Sequence, residues 1–142
     1  MSRVALAFLL VSCATPYALK FERIERTADP DVEVEATLDA SNAREIVLSV
    51  HNLTERPLQV AWGKIVLLDP DDAKTALRPE SDLGWVPPSQ TLTAQLSPFT
   101  LPTAGDEAKA LDARRFVLEI PMTVNDEARV VHCTFVAHAQ PQ

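Results

Sequence analysis

The adjacent pair His132-Cys133 has the residue types of a nucleophile and its base. Both residues lie in the run VVHCTFVA, which alternates as a β-strand does. Because neighbouring strand residues point to opposite faces, the imidazole and the thiol cannot work together, and we expect Cys133 to be a buried thiol. No serine lies in a G-x-S-x-G motif, and the scattered glycines form no phosphate-binding loop.

Histidines and one acidic segment are the candidates for metal binding. His132 and His138 share a strand face, but six extended residues separate them by roughly 20 Å, too far for one ion. Asp69-Pro70-Asp71-Asp72 with Glu80 is spaced like an EF-hand loop, yet Lys74 stands where that loop needs glycine. We predict solvated histidines, an acidic turn, and neither a metal nor another cofactor.

Acidic residues crowd positions 22 to 35, and two close carboxylates there would suit glycoside hydrolysis. The alternation VEVE at 32–35 instead predicts a solvated strand face, so we predict no catalytic residues and no enzyme activity. The binding candidate is Trp85, which lies between Gly84 and the stiff Val86-Pro87-Pro88 segment. The alternative is that Trp85 folds back and caps one end of the domain.

The opening residues, MSRVALAFLLVSC, are typical of a processed targeting segment. Arg3 precedes an apolar run that is far shorter than the about 20 residues needed to cross a bilayer. Leu10-Val11-Ser12-Cys13 resembles the lipobox of bacterial lipoproteins. The resemblance implies cleavage before Cys13, a diacylglyceryl thioether on its sulfur, and often a third acyl chain. The alternatives are an ordinary secretory leader and a buried first strand. The leader is short, which raises the question of whether the start codon is correctly placed.

A lipidated Cys13 predicts where the protein lies. Two or three acyl chains, including palmitate, hold a protein on a bilayer, whereas one chain holds it only marginally. Ala14 after the cysteine implies, in enteric-type bacteria, the periplasmic side of the outer membrane. The net charge of −7 opposes binding to nucleic acid and to anionic headgroups, so the acyl chains are the expected membrane contact. A Cys13–Cys133 disulfide is the alternative use of the two cysteines.

Short alternating segments broken by prolines dominate the rest of the chain. They predict an all-β fold, an antiparallel β-sandwich of about seven to nine strands, with at most one short helix at GDEAKALDAR. Asn125-Asp126 predicts a hairpin turn. Trp62, predicted in mid-strand with Leu58 and Val60 on the same face, resembles the core tryptophan of immunoglobulin-like domains. The layout around NLTERPLQVAW, LDPDD and VPP resembles that of small uncharacterised bacterial lipoproteins, and this resemblance implies no activity.

These observations predict a signal peptide at 1–12, a lipidated tether at 13–18 and a single domain at 19–142. The leading hypothesis is an envelope lipoprotein that binds or scaffolds an unknown envelope protein or polysaccharide without catalysis. A sandwich that presents a loop at 80–90 or 97–106 to a protease, as an inhibitor does, is the second. An acid–base carbohydrate enzyme is the third.

Overall fold

A computed structural model describes residues 16–24, 29–39, 45–97, 100–102 and 104–142. Within them lie ten strands and one helix: β1 Tyr17–Arg23, β2 Val32–Asp39, β3 Glu45–Asn52, β4 Gln59–Val60, β5 Val66–Leu68, β6 Lys74–Ala76, β7 Arg78–Pro79, β8 Thr91–Ser97, α1 Gly105–Lys109, β9 Arg115–Val124 and β10 Glu127–Pro141. The prediction was about seven to nine strands, and the described residues form ten. The two-residue strand β7 is too short to show alternation in the sequence.

The strands form a sandwich with the connectivity of an immunoglobulin-like domain. One layer has the order β2-β3-β8-β7 and the other β6-β5-β9-β10-β1, with β4 also paired to β9. These orders match the A-B-E-D and C′-C-F-G orders of that fold, to which β1 is added beside the last strand. Among the residues that the structure describes, one pair, Lys20 with Asp39, joins the two layers. The predicted all-β sandwich is therefore confirmed.

Alternation along the strands decides which side chains form the core, as the sequence predicted. In β9 every second residue from Phe116 to Val124 is buried, and β3 buries Ile46, Leu48 and Val50 completely. Trp62 is buried as expected, but it lies in a 3-10 turn, Trp62–Lys64, instead of mid-strand. Its indole Nε1 donates to the Gly84 carbonyl, which explains why the turn is held against the body.

The predicted hairpin turn and helix are both present. Asn125 and Asp126 connect β9 to β10 with φ angles of 50° and 64°, the left-handed values that a type I′ turn requires. Helix α1 has Asp106 and Glu107 in its first turn and Lys109 in its last, so its charges interact favourably with the helix dipole. Among the residues that the structure describes, no helix has the length and apolarity to span a membrane.

The described connections lie at two opposite ends of the sandwich. We call one the loop end; it comprises residues 29–31, 53–57, 82–90 and 125–126, which join the strand ends there. We call the other the helix end; it comprises Pro16, Ala104, α1 and Gln142. Pro16 forms a bridge with Ala104, and its carbonyl accepts from the Gln142 amide at 2.9 Å.

The folded part of the chain starts earlier than the predicted domain boundary at residue 19. Tyr17 and Ala18, which the sequence assigned to the tether, pair with Pro141 and Gln140 in β10. Strand β1 ends at Arg23. Residues 25–26 lie outside the described residues.

Candidate functional site

Trp85, the predicted binding residue, is presented to solvent at the loop end. Its residue surface is 57% exposed, while the next residue, Val86, is completely buried. Val86 exchanges two backbone hydrogen bonds with Leu58, at 2.8 and 2.9 Å, and the Gly84 carbonyl accepts from Trp62. The backbone on both sides of Trp85 is therefore attached to the sandwich, and the indole does not fold back as a cap.

A buried asparagine clamps the loop that carries Trp85 to the neighbouring loop. The Asn52 side chain is inaccessible to solvent, and its Nδ2 donates to the carbonyls of Arg56 and Val86 at 2.7 and 3.0 Å. Its Oδ1 accepts from the Thr54 amide at 2.9 Å and from the Thr54 hydroxyl at 2.7 Å. All four hydrogen-bonding positions of the amide are thus filled. This clamp makes the loop end a preorganised surface.

A cleft of about 760 Å³ lies beside the loop end, where the two layers separate. Beyond the Lys20–Asp39 pair, β1 follows β10 while β2 follows β3, so the layers diverge. Apolar and charged side chains line the cleft: Arg23, Asp29, Val32, Glu33, Val34, Glu35, Leu53, Val117, Arg129, Val130, Val131, His132 and Thr134. Its volume lies in the range of small-molecule sites.

Arginine–carboxylate pairs occupy the polar side of this cleft. Arg129 Nη1 lies 2.9 Å from Asp29 Oδ2, and its Nη2 lies 3.0 Å from Asp31 Oδ2. Hydrogen bonding to Asp31 is the main cause that raises the pKa of Arg129. Arg23 donates to the Val34 carbonyl and lies 3.7 Å from Glu35. Charge pairing of this kind holds segment 29–31 and the edge of β2 in place.

Cys133 and His132 lie on opposite faces, as their adjacency in a strand predicted. The Cys133 residue is inaccessible to solvent and its thiol is free, whereas His132 is exposed. Burial raises the pKa of the Cys133 thiol, so the neutral form is favoured. A neutral, inaccessible thiol is not a nucleophile.

The three histidines have separate neighbours: His51 Nδ1 lies 2.7 Å from Thr91 Oγ1, His132 Nε2 3.8 Å from Glu119, and His138 Nε2 3.1 Å from Glu22. Asp69 Oδ1 accepts from the amides of Asp71 and Ala73, which builds the acidic turn between β5 and β6. Within the described residues, His, Cys, Asp and Glu form no group of three that could hold a metal ion. Cys13, the predicted lipidation site, lies outside the described residues.

Sequence reasoning missed the ion-pair cluster and the clamp. Arg129 is about a hundred residues from its partners in the chain, at separations of 100 and 98, so no local pattern connects them. Asn52 is the last residue of β3 and precedes a turn-forming segment, which signals a loop but not a buried amide. The exposed Trp85 is the part of the site that the sequence did indicate.

No protein-family model matches the chain, and no curated protein matches it. One solved structure, described as "X-ray structure of Northeast Structural Genomics Consortium target SoR45", aligns with 89% of this chain and 85% of that chain. The two sequences are 12% identical and the TM-score is 0.34. This likeness carries no argument about fold or function.

Proposed function

We propose that this chain is a membrane-anchored lipoprotein of the bacterial envelope whose β-sandwich acts as a non-catalytic binding or scaffolding module. Acyl chains on Cys13 attach it to the bilayer, on the periplasmic side of the outer membrane if the cell has one. The loop end contacts a protein or polysaccharide of the envelope. The observation that carries the binding role is Trp85, an exposed indole on a backbone attached on both sides.

Binding by a preorganised aromatic residue has a physical basis. Aromatic side chains contribute large contact areas and lose little conformational entropy on association, so an exposed and well-held tryptophan is suited to recognition. Leu53 and Val130, which line the cleft, are also large apolar residues exposed by 47% and 48%. Exposed apolar side chains near one end of a domain support a contact surface there.

The charge pairs of the cleft favour binding over acid–base catalysis. A general acid and a base need carboxylates that exchange protons with a substrate. Asp29 and Asp31 both contact Arg129, and Glu35 lies near Arg23, so these carboxylates are engaged as charged partners of arginines. Groups held in this way serve structure more readily than proton transfer.

The anchor is tested by metabolic labelling with a palmitate analogue. Wild-type protein is expected to carry the label and to sediment with membranes, and Cys13→Ala is expected to lose both properties. Cys133→Ala is the matched control and should keep the label, because its thiol is buried. Label that persists in Cys13→Ala would show that the lipobox interpretation is wrong.

The binding role is tested by a photo-cross-linking amino acid placed at position 85 or, as a control, at exposed Lys109 on α1. The acylated full chain in growing cells should form a defined adduct only from position 85. An adduct that muramidase digestion shortens identifies a wall polysaccharide, and a discrete protein band identifies a protein. Identical adducts from both positions, or none from position 85, would refute the binding role. A cross-linked protease that cuts the 80–90 loop slowly would instead support the inhibitor hypothesis.

A further inference from the structure

The attachment point and the loop end lie at opposite ends of the longest strand. Strand β10 runs from Glu127, beside the Asn125-Asp126 turn, to Pro141, which pairs with Tyr17. Its 15 residues span up to roughly 45 Å at the rise of an extended chain. Arg56 at the loop end contacts Asp126 at 2.9 Å, so the loop carrying Arg56 lies at the same end as this turn.

Trp85 belongs to that same end through the clamp. Asn52 bonds both the Arg56 carbonyl and the Val86 carbonyl, which places Trp85 near Arg56 and hence near the β9–β10 turn. The Asn52 backbone also exchanges bonds with Ser89 and Gln90. The second tryptophan, Trp62, lies close to this loop, because its indole donates to the Gly84 carbonyl.

Pro16 fixes the opposite end. Its carbonyl accepts from the Gln142 amide, and it forms a bridge with Ala104 just before α1. Cys13 precedes Pro16 by three residues, a chain length that reaches at most about 11 Å. Whatever holds the sulfur of Cys13 therefore holds the helix end close to it.

We infer that the sandwich stands on its helix end against the bilayer and presents Trp85 and the loop end away from the membrane. This inference rests on the proposed lipidation of Cys13. The loop end then faces the aqueous envelope, and lipid is not its ligand. Contact with the bilayer falls instead to the helix end, which includes α1.

Energy transfer from tryptophan to a dansyl-headgroup lipid tests this orientation, because transfer falls steeply with distance. The acylated full chain is reconstituted into phosphatidylcholine vesicles containing that lipid. Wild-type protein, with Trp85 at the loop end and Trp62 buried beside Gly84, should show little transfer. The double variant Trp85→Phe, Tyr17→Trp has the same number of indoles, but one has moved to the helix end, and its transfer should rise several-fold.

A second variant, Lys109→Trp on the exposed side of α1, repeats the test if the first fails to fold. Acrylamide, an aqueous quencher, should reach Trp85 equally with and without vesicles. Strong transfer from the wild-type protein, or none from either helix-end variant, would overturn the orientation. Mass spectrometry of Cys13 separates the two proposals. An acylated wild-type chain that transfers energy strongly to the dansyl lipid refutes the orientation alone, and an unmodified chain refutes the anchor and with it the orientation.

Discussion

Replacing Asn52 with alanine should destabilise the domain by about 3 kcal/mol. The substitution removes the two hydrogen bonds that Asn52 Nδ2 donates to the carbonyls of Arg56 and Val86, and with them the side-chain link between loop 53–57 and Val86. Because the amide is completely buried, the groups it leaves behind have limited access to water. The clamp therefore accounts for a large share of the few kilocalories that separate folded from unfolded chains.

The magnitude follows from the four bonds, taken one by one. Both Nδ2 bonds and the bond from the Thr54 amide are lost, each worth about 1 kcal/mol net. The fourth is recovered, because the Thr54 hydroxyl also lies 2.8 Å from the Arg56 carbonyl and can donate there. The Val86 carbonyl keeps its bond from the Leu58 amide, which limits the cost of leaving it unpaired.

Urea unfolding followed by tryptophan fluorescence measures the effect, with buried Trp62 as reporter, in the full chain carrying Cys13→Ala. Thr54→Val is the matched control and should cost about 1 kcal/mol, since it keeps the amide of Asn52 in place. Asn52→Asp places a carboxylate against two carbonyls. Burial there raises the folded pKa of the new acid above its unfolded value, so its stability should recover as the pH falls from neutral to about 4.

A cost below about 1 kcal/mol for Asn52→Ala would refute the clamp, because a fully bonded buried amide cannot be removed so cheaply. An Asn52→Asp variant whose stability is independent of pH would contradict the buried position of the side chain. Loss of the Trp85 cross-link in Asn52→Ala, with the fold retained, is the expected functional consequence of a loosened loop.

Three further predictions use the same unfolding assay. Cys133 should resist thiol reagents until the chain unfolds, and rapid labelling of the folded protein would contradict its burial. The free energy of unfolding should fall above pH 9.0, because the unfolded thiol ionises there while the buried thiol, with its raised pKa, stays protonated. Cys133→Ala should abolish this pH dependence. Arg129→Gln should lower the free energy of unfolding by about 1.5 kcal/mol, because it breaks partly buried hydrogen bonds between charged groups. Arg56→Gln should lower it by less than about 0.5 kcal/mol, because the ion pair of Arg56 with Asp126 is exposed, and equal losses in the two variants would refute this distinction. Asp126→Gly should stabilise the domain by about 0.5 kcal/mol, because Asp126 has a positive φ, which glycine adopts more easily than aspartate. Destabilisation would contradict the turn assignment.

Residue alternation made the strands and their buried faces predictable, because side chains on a strand alternate with a period of two. The burial of Val32, Val34 and Ala36 in β2, with Glu33 and Glu35 exposed, follows directly from the sequence. The Asn125-Asp126 turn and helix α1 followed from local conformational preferences. The position of Trp62 in a 3-10 turn could not be predicted in this way, because one residue by itself shows no periodicity.

The amino-acid sequence alone determined the strand character of the chain, the core-facing side of each strand, and a lipobox-like Cys13, because these depend on neighbours in the chain. The tertiary structure alone decided that Arg129 meets Asp29 and Asp31, that Asn52 clamps the loop of Trp85, and that Pro16 lies at the end opposite to that loop. Strand pairing brings together residues up to a hundred positions apart, and such long-range contacts leave no periodic trace in a single sequence.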